Sequence, residues 1–244
     1  MKLKSKNTIE IKNLYKNYGN IVASDNICLQ AKEGEIIALL GPNGAGKSTL
    51  MNMIAGFLAP TSGTIEIMGK NIADFPLFAK QNIGFLPEGS PLYADMSVAM
   101  FLNYMAQLRG MHKKQVQQAA QTANIVEVMG QKIETLSKGY LRRVGFAQSI
   151  LSNPPILLLD EPTDGLDPNQ KEHMRGLIKQ MAKEKTIIIS THLLDEAESI
   201  CNRIILLNKG KIKADGTYKQ ILQQSKSSDL ASAFKKLTIS EEAN

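Results

Sequence analysis

The densest chemical signal in this 244-residue sequence is the segment Gly41-Pro42-Asn43-Gly44-Ala45-Gly46-Lys47-Ser48. It fits the spacing G-x-x-x-x-G-K-[ST] throughout. The glycines let the backbone wrap a chain of phosphates with its N–H groups turned inward. A helix starting near Lys47 adds partial positive charge at the same place. Lys47 then reaches the outer phosphates and Ser48 ligates Mg²⁺. A chance glycine-rich turn would lack the setting seen here, where an apolar run ends at Leu40 just before the loop.

Such a loop needs a carboxylate partner, and Ile156-Leu157-Leu158-Leu159-Asp160-Glu161 supplies two. The apolar run is the pattern of a core strand. Asp160 emerges at its C-terminal end, where parallel sheets bind ligands. Asp160 is the expected metal-holding group. Glu161, one residue further, is the candidate general base that polarises an attacking water. The plainer reading of Glu161 is a carboxylate at a helix start, and its place beside Asp160 argues against that.

These residues need strands and helices to aim them. Ile36–Leu40, Ile156–Leu159 and Ile187–Ile189 are continuous apolar runs, the mark of strands buried on both faces. Each precedes a predicted helix. Met174, Leu177, Ile178 and Met181 carry an i, i+3, i+4, i+7 stripe after Pro168. Buried strands alternating with helices imply a parallel α/β sheet. Ile9 and Ile11, and Ile27, Leu29 and Ala31, alternate with polar residues and read as half-exposed strands, with a turn at Glu33-Gly34. From 91 to 141 no strand is evident. Val98, Phe101, Leu102 and Met105 form a helical stripe and Gln115–Gln121 a polar helix, which points to a helical subdomain inserted at about 91–141. Met96, Met100, Met105 and Met111 there are either an adaptable binding surface or ordinary core filling. Arg203–Leu207 and Ile212–Ala214 read as a hairpin, Gln223–Ser228 as a polar linker, and Leu230, Phe234 and Leu237 as a short helix within a C-terminal extension of about 217–244.

Composition narrows the classes. The sequence is 43% apolar and 21% charged, ordinary for a globular chain. No apolar run approaches the roughly 18–20 residues that cross a bilayer. The net charge of +6 is scattered, with mild clusters at Lys2, Lys4, Lys6, Lys12 and Lys16 and at Lys209, Lys211 and Lys213. With no Trp and few other aromatics, a solvated basic surface fits better than a nucleic-acid site. Cys28 and Cys201 are far apart and read as reduced, buried residues. His112 and His173 read as surface residues. No secretory signal is evident, so a cytoplasmic location is expected.

Further motifs sort the phosphate-loop families. Asn208-Lys209-Gly210-Lys211 begins like the guanine motif N-K-x-D but ends in Lys, which rejects a GTPase. Leu136-Ser137-Lys138-Gly139-Tyr140 precedes the second strand, Pro162-Thr163-Asp164-Gly165-Leu166-Asp167 follows Glu161, and Ser190-Thr191-His192 ends the next strand. This ordered set resembles the ATP-binding-cassette (ABC) ATPases, from Tyr18 to about Gly216. The resemblance implies a single domain over 1–244 of α/β class. Its P-loop NTPase core would be a mostly parallel sheet with helices on both faces, joined by an antiparallel β subdomain and the inserted helical one.

The resemblance also implies roles. Tyr18 stacks on adenine. Gly41, Pro42, Asn43, Gly44, Ala45, Gly46, Lys47, Ser48 and Thr49 hold the ATP phosphates. Glu88 joins ATP and metal binding, with Ser48 and Asp160 as the other Mg²⁺ ligands. Ser137 and Gly139 contact the γ-phosphate held by a second subunit, and Asp167 lies across that dimer interface. His192 bonds the γ-phosphate and orients water beside Glu161. Two positions depart from the family pattern. Glu88 replaces the usual glutamine, so it accepts from metal-bound water but cannot donate to phosphate. The signature reads Ser-Lys-Gly-Tyr in place of Ser-Gly-Gly-Gln, and Lys138 either approaches the partner's phosphate or faces solvent. Both departures occur in a branch in which the ATPase subunit and its permease are encoded separately and which usually exports. The implied protein dimerises around two ATP and drives a separate transmembrane permease from the cytoplasmic face. A soluble cassette acting in translation or repair would carry two cassettes or a long coiled-coil or zinc insertion. A non-hydrolysing regulator would not need Glu161 and His192.

Overall fold

Alternation of apolar and polar residues shapes the first layer. In the computed structural model, which describes residues 7–239, β1 (Asn7–Tyr18) and β2 (Ile21–Lys32) form an antiparallel hairpin. Ile9 faces Ala31 and Ile11 faces Leu29, and all four are buried. The period of two turns one face inward and leaves the other to solvent. β3 (Ile36–Leu40), with every residue buried, enters a different sheet and leads to α1 (Lys47–Ile54). β4 (Ser62–Ile67) and β5 (Lys70–Asn71) complete the antiparallel sheet in the order β2-β1-β4-β5. Lys2, Lys4, Lys6 and the last five residues of the C-terminal extension lie outside the described residues.

α2 (Pro76–Asn82) leads directly into β6 (Ile83–Leu86). Next come α3 (Val98–Leu108), α4 (Lys113–Thr122) and α5 (Lys138–Ile150). The segment 91–141 holds α3, α4, two short 3₁₀ turns and the first residues of α5, which runs on to Ile150. Its β structure is limited to one isolated bridge, Ser97 with Lys132. Val98, Phe101 and Leu102 are buried, as the helical stripe requires. Met96, Met105 and Met111 pack against the core, while Met100 is exposed.

β7 (Ile156–Asp160), α6 (Pro168–Met181), β8 (Thr186–Thr191), α7 (Leu194–Ile200), β9 (Arg203–Asn208) and β10 (Lys211–Gly216) complete the second sheet and its helices. That sheet runs β10-β9-β3-β8-β7-β6, parallel except for β10. Its two faces are covered differently. Ile37, Leu39, Leu158 and Ile188 pack with α1 and the antiparallel sheet. Leu157, Leu159, Ile187 and Ile189 pack toward α3–α6. Each fully buried side chain of this size contributes about 1.5–3 kcal/mol over an exposed one, so the strands carrying the site are its most firmly held elements.

Two expectations need correction. Gln223–Ser225 is not linker but the end of α8 (Tyr218–Ser225), which starts at a Thr217/Gln220 capping box and stops at left-handed Lys226. The composition of that stretch shows only its polarity, whereas one side of the helix buries Ile221 and Ser225. Cys28 is exposed on β2, where its thiol meets the Asn13 side chain at 3.3 Å. Cys201 is partly buried at the end of α7, and both thiols are free. α9 (Leu230–Ile239) forms as its apolar spacing predicts and buries Leu230.

Candidate functional site

The phosphate-type loop is glycine-bound by space and by backbone angle. A Cβ at Gly41 would run into the Leu207 carbonyl on β9. Gly46, the N-cap of α1, has φ 101°, and a Cβ there would collide with the Ala23 carbonyl. Few side chains tolerate that angle and none fits that space. Gly44 is also left-handed, at φ 80°. The loop is pinned from the β9–β10 hairpin, where Gly210 N–H donates to Ala45 O at 3.1 Å.

Lys47 is buried and its Nζ donates to Gly41 O at 2.6 Å and Pro42 O at 3.1 Å. Burial lowers its pKa, while the charges of Glu161, Asp160 and Glu88 act the other way. Ser48 and Thr49 occupy the first turn of α1, at its positive end.

Asp160 is the last residue of β7 and is buried. Ser190 on β8 sits opposite it in register and donates its hydroxyl to the Asp160 carboxylate. The chain then bends sharply. Glu161 has φ 53°, a left-handed conformation uncommon for a residue with a Cβ. Its N–H donates to Ser190 O at 2.9 Å, which holds the bend. Strain of this kind, about 1–3 kcal/mol, persists where the surroundings over-determine it. Its consequence is that the Glu161 carboxylate lies 2.8 Å from His192 Nδ1, just past the end of β8. His192 is exposed and Glu161 half-buried.

The glycine loop, Asp160 and Glu161 share one cleft of about 430 Å³, and His192 stands at it through its contact with Glu161. The lining of the cleft is made by Tyr18, Ile21 and Ala23, by residues 43–49, and by Glu88, Asp160 and Glu161. Tyr18 is 49% exposed at the end of β1, with Lys16 Nζ 5.1 Å from its ring centre. Glu88 is exposed in a tight turn after β6, where Ser90 N–H donates to Pro87 O at 3.3 Å.

Ser137, Gly139 and Asp167 form a separate group outside the lining of that cleft. Ser137 caps α5, accepting from Tyr140 N–H at 3.4 Å. Asp167 caps α6, accepting from Gln170 N–H at 2.9 Å. Gly139 packs against the same turn, since a Cβ there would come 2.7 Å from Gln170 Oε1. Lys138 is exposed and pairs with Asp164 at 3.0 Å, its stem lying over Gly165. That hydrogen bond is the main reason the Asp164 carboxyl is held below its usual range.

Three residues of this neighbourhood were not singled out from the sequence. Ser190 is the polar end of an apolar run, the one signal that could have flagged it. Arg142 is a buried arginine on α5 that binds the loop around Glu88. Glu196 is fully buried on α7, without a hydrogen bond of good geometry to either carboxylate oxygen. Burial pushes its pKa up, opposed by the Thr191 and Thr163 hydroxyls and Arg175. Nothing in the charge pattern of Asp195-Glu196 marks which of the two turns inward.

Known proteins are similar to this chain in sequence and fold. The sequence model of the ABC transporter family matches residues 24–164. The uncharacterized ABC transporter ATP-binding protein YxlF of Bacillus subtilis is 34% identical over 220 residues, covering 88% of this chain and 73% of YxlF. The bacitracin transport ATP-binding protein BcrA of Bacillus licheniformis is 36% identical over 212 residues, covering 84% of this chain and 68% of BcrA. The dimeric structure of MJ0796 in a post-hydrolysis state, bound to ADP and Pi, superimposes with a TM-score of 0.79 at 27% identity, covering 86% of this chain and 98% of that one. On the family match over more than half of the chain, the relatives above 30% identity and the shared fold, the chain belongs to the ABC transporter family, as an ATP-binding and ATP-hydrolysing subunit.

Proposed function

We propose that this chain hydrolyses ATP in a head-to-tail dimer and moves a substrate, by export, through a separate transmembrane permease. The carrying observation is the Glu161–His192 pair, 2.8 Å apart beside Asp160 and the glycine loop. In this reading the adenine stacks on Tyr18 and the phosphates lie on residues 41–49, with Lys47 turned from its loop carbonyls to the outer phosphates. Glu161 accepts a proton from the attacking water. His192, held by Glu161, donates to the γ-phosphate.

The donor set suits Mg²⁺. Ser48, Asp160 and Glu88 offer oxygen only, and Ser190 already orients one Asp160 oxygen. Mg²⁺ is commonly bound by one or two carboxylates together with substrate phosphates. Bound there, Mg²⁺ would neutralise charge on the outer phosphates. Glu88 adds a negative charge beside those phosphates, which makes its metal contact more important than that of an amide.

Ser137 and Gly139 would meet the nucleotide of a second copy, with Asp167 across the interface. Their position outside their own subunit's cleft supports that assignment, as does the dimeric state named for MJ0796. No helix among the described residues is long and apolar enough to cross a membrane. An apolar groove of about 560 Å³ lies beside the Glu88 turn, between Phe57 and Phe85 on one side and Tyr93, Phe101 and Met105 on the other. It is a suitable seat for a permease at the cytoplasmic face. The names of bacitracin transport and probable multidrug relatives favour export.

The test is Glu161→Gln at saturating MgATP. Hydrolysis is expected to fall by about 10²-fold or more, as for loss of a general base. Light scattering should show an ATP-bound dimer that the wild type populates only transiently. A variant that stays monomeric with the permease present would refute the sandwich.

A further inference from the structure

Arg142 joins two parts of the molecule that the proposed cycle must move together. It lies in the second turn of α5, whose N-cap is Ser137. Its Nη1 donates to Pro87 O at 2.9 Å and to Ser90 Oγ at 3.0 Å. Both ends of the turn that carries Glu88 are therefore held by one guanidinium. The side chain is buried at 6% exposure, and its Nε and Nη2 have no hydrogen-bond partner. Burial lowers its pKa, opposed by the charges of Asp160, Asp164, Glu161 and Glu88. One turn on, Gly145 lets the helix press against the same loop, since a Cβ there would come 2.7 Å from Ser90 Oγ and 2.9 Å from Leu86 Cδ1.

A buried cation with three of its five N–H donors unused is a poor stability device, because desolvation offsets much of its attraction. It is a good strut. The guanidinium is planar and its donors keep a fixed fork, so displacement of the turn is transmitted to the helix. Pro87, Ser90 and Gly145 also line the apolar groove. We infer that Arg142 is a positioning residue that couples the groove-side turn 87–90 to the signature segment 137–140 of the same subunit. The coupling itself is a property of one subunit. Only its consequence for the cycle rests on the reading that Ser137 and Gly139 close on a partner's nucleotide.

Hydrogen–deuterium exchange of the full chain without nucleotide tests the coupling. Loss of two hydrogen bonds to a charged donor in Arg142→Gln should speed amide exchange about tenfold or more in both 87–90 and 137–141. Amides of β3 and β7 should change less than about twofold, being held by independent burial. Arg142→Lys keeps the cation and should recover part of the protection in both segments. Ser90→Ala removes one acceptor and should loosen both segments more mildly; it decides the matter if Arg142→Gln does not fold. Faster exchange at 87–90 with no change at 137–141, or uniform loosening of the whole chain, overturns the inference. Separately, MgATP-driven dimerisation of Arg142→Gln should weaken more than its binding of a fluorescent ATP. Failure of the wild type to dimerise would count against the sandwich and leave the exchange result to stand on its own.

Discussion

Ser190→Ala isolates how the site holds the Asp160 carboxylate. Asp160 and Ser190 are opposite one another in the β7–β8 register, and both are buried. Removing the hydroxyl deletes a hydrogen bond to a charged acceptor, worth about 1.5–3 kcal/mol. Water cannot readily replace it, because Ser190 is 0% exposed. For a chain of this size each kcal/mol lowers Tm by about 2–4 °C, so a drop of about 3–12 °C is expected in calorimetry. Chemical denaturation should give the same loss with no change in m. The effect should be coupled to Asp160: in an Asp160→Asn background, where the acceptor's charge is gone, Ser190→Ala should cost less by about 0.5 kcal/mol or more. In ATPase assays at limiting Mg²⁺ the variant should need more metal for half-maximal rate, because Asp160 is no longer oriented. A stability loss under about 0.5 kcal/mol, or the same loss in both backgrounds, would refute the reasoning, since surface-like substitutions fall in that range.

Three further outcomes follow from particular side chains. Burial holds the Glu196 carboxyl above its usual value of 4.5, so the folded state keeps a proton that the unfolded chain releases. That contribution is whole below the unfolded value and is lost as pH rises toward the folded one; the advantage of Glu196→Gln in denaturation midpoint should therefore be small near pH 4 and grow toward neutral pH, and a gain equal at every pH would contradict this. Gly46→Ala places a methyl against the Ala23 carbonyl at φ 101°, and by strain alone should cost about 1–3 kcal/mol and abolish measurable ATP binding by calorimetry. Glu88→Gln should reduce the Mg²⁺ dependence of hydrolysis and change stimulation by a reconstituted permease; if rate and stimulation both stay the same, Glu88 does not sense the metal.

The sequence made some of this legible and hid the rest for physical reasons. Ile36–Leu40, Ile156–Leu159 and Ile187–Ile189 were readable as strands because burial on both faces forces a continuous apolar run, and all three lie in the parallel sheet. The glycine loop was readable because backbone space and angle admit few other residues at Gly41 and Gly46. The end of α8 was not, since Gln223–Ser225 carry no apolar stripe of their own and the helix is held by its Thr217/Gln220 cap and Ile221. Cys28 was misplaced because residue type sets an average burial, whereas the outward face of β2 is set by register with β1.

The same distinction separates the two halves of the site. The residues proposed to contact phosphate sit in local motifs, so spacing alone reveals them. Residues that support those motifs come from distant elements: Ser190 reaches Asp160 across a strand pair, and Arg142 reaches Pro87 across a helix–loop contact. No spacing rule relates them, because their separation is fixed by the order of strands in the sheet. Asp167 shows how one residue can serve both levels. Its carboxylate caps α6 within its own chain, a contact worth about 1 kcal/mol by itself, and that cap fixes where the residue stands if a second subunit approaches. The role proposed for Asp167 across an interface would thus begin as a local hydrogen bond, which orders the side chain before a partner arrives and would lower the entropy lost on closing a dimer.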